Sequence, residues 1–326
     1  MIDVESPGLY TTVQDRGRPG YYAMGMPPSG ALDLYSHDVG NILVGNSVDA
    51  ATLEMTFMGP RLRFSRPGVI AVTGAEIGLS VDGSPVPEWT AVAVQAGQVL
   101  EFGPMQSGAR AYLAIRGGIQ VPLVMGSRST YALSRIGGLQ GRTLAAGDAL
   151  VVGDTSEPTR EVRIGVSVPE DLRPVHHDQQ VLRVVRGLCD HRLTTDALKH
   201  LYGSDYSVTP EANRTGYRFA GPALTFVDRE PPFGAGDDPS NVVNLGYPIG
   251  SIQAPSGSEL ICLLRDAVTG GGYATLGTVI SADLDVIAQM KLPDTARFEP
   301  VSLDLALSER QVRHTRLSRL LEAVAA

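Results

Sequence analysis

At 326 residues the chain is long enough for two domains, and 43% hydrophobic against 19% charged residues is ordinary globular composition. A formal net charge of -8 argues against nucleic acid or anionic membrane as partner, because neither phosphate nor acidic lipid attracts such a surface. No apolar run approaches the ~18–20 residues that cross a bilayer, and MIDVESPGLY lacks the basic flank and apolar core of an export signal, so a cytoplasmic protein is expected.

In chain order, the first unusual stretch is VQDRGRPGYYAMGMPPSGALD (13–33), which has neither helical nor strand periodicity and is dense in glycine and proline. Asp33 then caps a helix over LDLYSHDVGNILVGN, with Gly45-Asn46 as its stop. Short β-rich runs follow: VIAVTGA (69–75), IGLSVDG (77–83), TAVAVQAG (90–97), QVLEFGP (98–104) and ARAYLAIRGG (109–118). Spacings of about ten residues with turns between them indicate a barrel or sandwich rather than βαβ units. After a polar, proline-bearing stretch the pattern resumes with QVLRVVRG, a helix around TTDALKHLYG, and strands near DYSVTP, ALTFVD, SNVVNL, SELICLLRD and ATLGTVISA. LDLALSERQVRHTRLSRLLEAVAA is in loose helical phase, so a terminal helix docked on its own domain is expected.

The expected organisation is mainly β, with a β-barrel domain at 1–160, a second at 161–305 and a C-terminal helix at 306–326. Cys189 and Cys262 sit in apolar settings without CxxC spacing and read as small core residues. TGGGY (269–273) lacks the endings of a phosphate loop. No GxSxG elbow is present, and Lys199 and Lys291, the only lysines, lack the Gly/Ser-rich setting of Ser-Ser-Lys amidases. The six histidines are isolated or in the linker, so no metal site is expected. AMGM (23–26) is like a biotin-carrier AMKM with Gly25 where the acylated lysine must be, so no biotin is attached here.

Five polar, glycine-rich, Arg-bearing segments remain: QDRGRPGYY, RGG (116–118), MGSRSTYALSRIGGLQGRTL, NRTGYRF and LRDAVTGGGYATLG. Glycine lets backbone amides approach a ligand, while arginine offers a planar fork to carboxylate or phosphate. Each alone also fits a tight turn; five together indicate a site.

Taken in order, TTVQDRGRPGYYAMGMPPSGALD, NILVGN, LEMTFMGP, VTGA, AIRGGI, GSRSTY, GGLQGRTLAAGD, NRTGYRF, GSIQAPSG, RDAVTGGGY and ISADLDVIAQ resemble the allophanate hydrolase subunit 2 family. Its members are also described as the C component of 5-oxoprolinase and as the matching part of the carboxyltransferase domain of urea carboxylase. The resemblance covers roughly residues 5–305. It implies cyclophilin-like barrels and pairing with a subunit-1-like protein (the B component of 5-oxoprolinase, Kip-inhibitor-like), with the A component of 5-oxoprolinase as a further partner. It also implies a small-molecule amide as substrate, with ATP or carboxybiotin supplied through partner subunits and no cofactor bound covalently.

Such a site needs oxyanion donors and a clamp for the amide nitrogen. On this reading Arg16 and Arg18 are oxyanion or carboxylate ligands, and Gln14 and Asp15 are loop organisers or amide contacts. Arg128 and Ser129 join them, with Asn213, Arg214, Tyr217, Gln253, Asp266, Gly271, Gly272 and Tyr273 from the second half. The chain departs from the family at 265–273, which reads RDAVTGGGY rather than D-R-Q-T-T-G-G-Y, and at Asn244-Leu245-Gly246, usually Ser-Glu-Gly. A non-enzymatic regulator that binds the subunit-1-like kinase inhibitor and antagonises it is the alternative.

Overall fold

The computed structural model describes residues 1–154, 161–230 and 232–325. Contacts group the chain into two compact units. The first holds Met1–Arg18, Ser29–His176 and the chain from His314 onward; the second holds Pro19–Pro28 and His177–Arg313. The changeover therefore lies at His176/His177, whereas the boundary expected at 160/161 touches residues 155–160, which lie outside the described residues.

Where the sequence leads one to expect a barrel in each half, the strands of the first unit form two sheets. A six-stranded sheet runs in the order Ala149–Leu150, Ile2–Ser6, Arg61–Phe64, Val99–Phe102, Leu79–Val81, Ser84–Val86. A five-stranded sheet runs Tyr10–Gln14, Thr52–Thr56, Ser107–Ile115, Gly68–Glu76, Val92–Val94. Ile2, Val4, Leu62, Phe64 and Leu100 of the first sheet share one core with Leu53, Met55, Ile70, Val72, Leu113 and Ile115 of the second.

Side chains alternate across a strand, so Ala71 and Ala114 face away from that core. They join Tyr35, Val39, Ile42 and Leu43 of helix α1 (Leu34–Leu43) in a second cluster. Covered on both faces, the two central strands are apolar almost throughout, which is why VIAVTGA reads as a continuous run rather than an alternation. The helix sits close because Gly40 has no side chain: a Cβ there would lie 3.0 Å from Thr73 Oγ1 and 3.2 Å from Ala114 Cβ. The Asp33 carboxylate accepts from the Ser36 N–H at 2.9 Å, the expected N-cap.

In the second unit seven strands close a barrel in the order Gln179–Arg186, Thr275–Val279, Ser251–Gln253, Leu260–Leu263, Gly216–Ala220, Asp205–Val208, Thr295–Val301. Gln179–Arg186 and Thr295–Val301 run parallel; the other pairs are antiparallel. Tyr206, Phe219 and Phe298 fill the interior edge-to-face at 5.6 Å. A separate two-stranded ribbon pairs Asn241–Gly246 with Gly270–Tyr273. Helices α2 (Thr195–Gly203) and α3 (Leu284–Gln289) also belong here. The strand expected at ALTFVD is absent: Leu224 and Phe226 are buried, but after Gly221-Pro222 the segment makes only one bridge, Leu193 to Phe226.

Helix α4 (Leu303–Ala325) is the expected terminal helix, but from His314 onward it belongs to the first unit and not, as expected, to the domain it follows in the chain. Leu317, Leu320 and Leu321 pack on the cluster under α1, Arg316 lies 4.6 Å over the Tyr35 ring, and Arg319 pairs with Asp171 at 2.9 Å. Among the described residues no helix is long and apolar enough to cross a membrane.

Candidate functional site

Gln14 ends a strand of the five-stranded sheet, and the chain beyond it leaves as a loop whose two ends meet. The Ala31 N–H donates to the Asp15 carbonyl at 2.9 Å. Gly30 lies against the backbone of Arg16 and Gly17 at a positive φ, where any Cβ would meet Gly17 N at 2.7 Å. Closed ends of this kind define an Ω-type loop fixed at its base.

Asp15 is the clasp. Its Oδ1 accepts from the Gly17 N–H at 2.7 Å, from Ser127 Oγ at 2.6 Å and from Ser129 Oγ, while Oδ2 accepts from the Arg128 N–H at 2.5 Å. Four donors on one buried carboxylate hold the base of the loop in place. Gln14 donates to Thr12 Oγ1 and to the Thr130 carbonyl, and its Oε1 is buried without a partner. The buried Arg18 guanidinium donates to the Ser129 carbonyl. Only the main chain of Arg128 faces Asp15, its side chain donating to Gln120 Oε1 at 2.9 Å. Gln14, Asp15, Arg18, Arg128 and Ser129 are thus brought together, as QDRG and GSRST lie side by side.

Arg16 has a different setting. Its side chain is 42% exposed, and its Nε lies 3.7 Å from Oδ1 of Asp38, which is 1% exposed. The same Oδ1 contacts His37 Nδ1 at 3.1 Å, and Oδ2 reaches no hydrogen-bond partner. Reading the sequence alone leaves His37 isolated; its partners Asp38 and Asn41 are neighbours on α1, but the arginine above them comes from the loop. Further along, Glu54 accepts from the Leu32 N–H at 2.9 Å and from the Tyr112 hydroxyl at 2.8 Å, fixing the exit of the loop. Burial, with the Glu54 and Asp33 carboxylates beside it, pushes the Tyr112 hydroxyl well above its ordinary range, so it stays a neutral donor.

In the second unit Arg214 meets Asp266 through two bonds, 2.8 and 3.2 Å, with both residues buried. Asn213 is a turn former, its Oδ1 accepting from the Thr215 N–H at 2.8 Å. The Tyr217 hydroxyl donates to the Met290 carbonyl at 3.0 Å within the barrel. Gln253 is 3% exposed and lies beside the Tyr247 hydroxyl. Gly271, Gly272 and Tyr273 form one strand of the ribbon, where the Tyr273 N–H donates to the Tyr247 oxygen at 2.6 Å and the Tyr247 hydroxyl donates back to the Tyr273 carbonyl at 3.0 Å. Tyr22 joins this tyrosine group by donating to the Tyr247 carbonyl at 3.2 Å. Gln253 and Tyr273 are therefore brought together, whereas Tyr217, Asn213 and the Arg214–Asp266 pair hold the barrel and its turns. Among the described residues no group of three acidic, histidine or cysteine side chains is arranged to hold a metal ion.

The matched family model defines the class: residues 24–300 fit the carboxyltransferase domain, subdomain A and B, and the chain belongs to that family. Within it, the chain is 34% identical over 314 residues to the C component of the 5-oxoprolinase of Escherichia coli K12, covering 95% of this chain and 94% of that protein. It is 32% identical to the urea amidolyase of Saccharomyces cerevisiae over 98% of its own length. It spans only 25%, 18% and 17% of the fungal relatives it matches. The crystal structure of Kluyveromyces lactis urea carboxylase superposes with a TM-score of 0.91 at 31% identity, over 98% of this chain and 29% of that one.

Proposed function

We propose that this chain is a component of a heteromeric, cytoplasmic amide-processing enzyme. With a subunit-1-like partner it forms a carboxyltransferase-like site for a small amide, 5-oxoproline or urea/allophanate. The observation that carries the reading is the likeness to the bacterial 5-oxoprolinase component, which extends over 94% of that protein, whereas each fungal relative is matched over a quarter of its length or less. ATP or carboxybiotin reaches the site through partner subunits.

Arg16 is the residue on which this reading places the chemistry. It sits on a loop held by Asp15 and presents a partly exposed guanidinium to solvent, suited to an amide oxygen or carboxylate on which charge develops. Asp15, Gln14, Arg18, Arg128 and Ser129 act by fixing its position.

The test is to copurify the chain with a subunit-1-like protein and measure ATP-dependent release of glutamate from 5-oxoproline, with and without the A component of 5-oxoprolinase. Biotin-dependent carboxyl transfer to urea is run in parallel. Turnover in either assay is expected, and Arg16→Ala is expected to lower kcat/KM by about 100-fold or more, ~3 kcal/mol, with assembly unchanged. An assembled complex inactive in both assays overturns the enzyme reading in favour of a regulatory role.

A further inference from the structure

At one end of the barrel five buried residues are neighbours through a mixture of main-chain and side-chain relations. The Cys189 N–H donates to the Thr275 carbonyl at 3.1 Å. Thr275 is the register partner of Gln253 on the adjacent strand, and Gln253 lies beside the Tyr247 hydroxyl. Tyr247 is within electrostatic reach of the Cys189 thiol, which lies against the Arg192 guanidinium. All five residues are more than nine-tenths buried: Cys189, Arg192 and Thr275 at 8%, Gln253 at 3%, Tyr247 at 2%.

Arg192 donates an Nη2 to the Pro239 and Asn241 carbonyls, but other donor atoms of this group reach no acceptor. Arg192 Nε, Gln253 Nε2 and Thr275 Oγ1 are buried and reach no hydrogen-bond partner, and the same is true of Nε of the neighbouring Arg229. Arg192 and Arg229 both donate an Nη2 to one carbonyl, that of Asn241. No carboxylate lies within ion-pair distance of either among the described residues, whereas the buried Arg214 in the same unit has Asp266. Burial and the charge of Arg229 lower the pKa of Arg192. A buried guanidinium answered only by carbonyl dipoles is a costly arrangement that an anion relieves. A water molecule could accept from these donors but would leave the paired charges uncompensated.

We propose that this end of the barrel is a small-oxyanion site, taking a carboxylate or an anion of bicarbonate size on Arg192, Arg229, Gln253 and Thr275, with Cys189 at its edge. Only the choice of physiological anion rests on the proposed function: the carboxylate of 5-oxoproline, or the carboxyl group before or after its transfer.

Cys189 supplies a reporter independent of partners and turnover. Cys262 is fully buried and its thiol is pushed up to about 12, whereas Cys189 keeps 8% exposure, so slow alkylation of the native chain by iodoacetamide, read by peptide mass, is followed at Cys189. The probes are 5-oxoproline, 2-pyrrolidinone, which has the same ring without the carboxylate, bicarbonate, and chloride at matched ionic strength. Each is used at about 50 mM, enough to fill a site of millimolar Kd. Protection of at least about threefold by 5-oxoproline and not by 2-pyrrolidinone assigns the substrate carboxylate, and protection by bicarbonate alone assigns the transferred carboxyl group. Either supports the site, with a matching rise in Tm. Thr275→Val and Gln253→Leu are each expected to raise the anion concentration needed for half-protection about tenfold. If neither 5-oxoproline nor bicarbonate differs from chloride on the unmodified chain, the site is refuted. That outcome leaves the complex assays standing on their own result, and a variant that fails to fold does not affect it.

Discussion

Asp15 and Arg16 are adjacent in sequence and opposite in use: one accepts four hydrogen bonds in the interior, the other holds its guanidinium partly in solvent. An amide in place of the Asp15 carboxylate retains one acceptor oxygen and turns its NH2 group toward either the Arg128 or the Gly17 amide, donor against donor. Asp15→Asn is therefore expected to lower folding stability by about 2–4 kcal/mol, measured by urea unfolding. Arg16→Ala, at a partly exposed position, is expected to change stability by less than about 1 kcal/mol. Equal losses for both would mean that the loop is not clasped through Asp15. Much of this neighbourhood is legible in the sequence, because glycines flanking polar side chains in QDRG and GSRST are unusual at any single turn. The His37–Asp38 contact is not, since helix α1 shows both side chains in sequence but not the loop arginine over them. Cys189 reads from its apolar neighbours as core, and it is buried; nothing in GLCDHR signals that Arg192 turns back onto its thiol.

Whole elements are the easiest part of the sequence to read. Helix α1 announces its start through Asp33, and the barrel strands announce themselves by period and by turns at regular intervals. ALTFVD carries the apolar alternation of a strand, but no neighbouring strand is placed to receive it beyond one bridge, and pattern does not reveal a missing partner. One edge of the six-stranded sheet has a polar fastening that responds to acid. Asp148, just before Ala149–Leu150, takes the Arg142 guanidinium at 2.7 and 2.8 Å, and this pairing holds its carboxyl below the usual range. A depressed folded-state pKa means that the stabilisation is complete above the unfolded carboxylate value of about 4 and is lost as pH falls through the lower folded value. The unmodified chain should therefore lose more stability than Asp148→Asn on going from about pH 5 to pH 2.5, as read by denaturant midpoints. Equal slopes for the two would discount the pair.

Across the whole molecule, the mainly β class and the terminal helix are legible, whereas the membership of residues 19–28 in the second unit and of the chain from His314 in the first is not. A chain that leaves a unit and returns carries no local mark of doing so. The return at the C-terminus can be tested. Leu320 is fully buried in the cluster that also contains Trp89, the only tryptophan. Removing residues 314–326 takes away Leu317, Leu320 and Leu321, with an expected cost to the first unit of roughly 2–5 kcal/mol from the buried leucine. Trp89 fluorescence should report an earlier unfolding transition in the truncated chain; an unchanged transition would show that α4 adds nothing to that core.

The same threading bears on how the protein is made. Residues 1–18 and 29–176 emerge from the ribosome well before residues 314–326, yet all belong to one unit. Synthesis runs at about 5–20 residues per second, so the first unit waits on the order of ten seconds or more for its final segment, with the apolar surface meant for Leu320 uncovered. Division of the chain between His176 and His177 would separate that helix from the core it seals and residues 19–28 from the barrel unit. Two such fragments expressed apart should each be deficient, while coexpression would return both missing pieces.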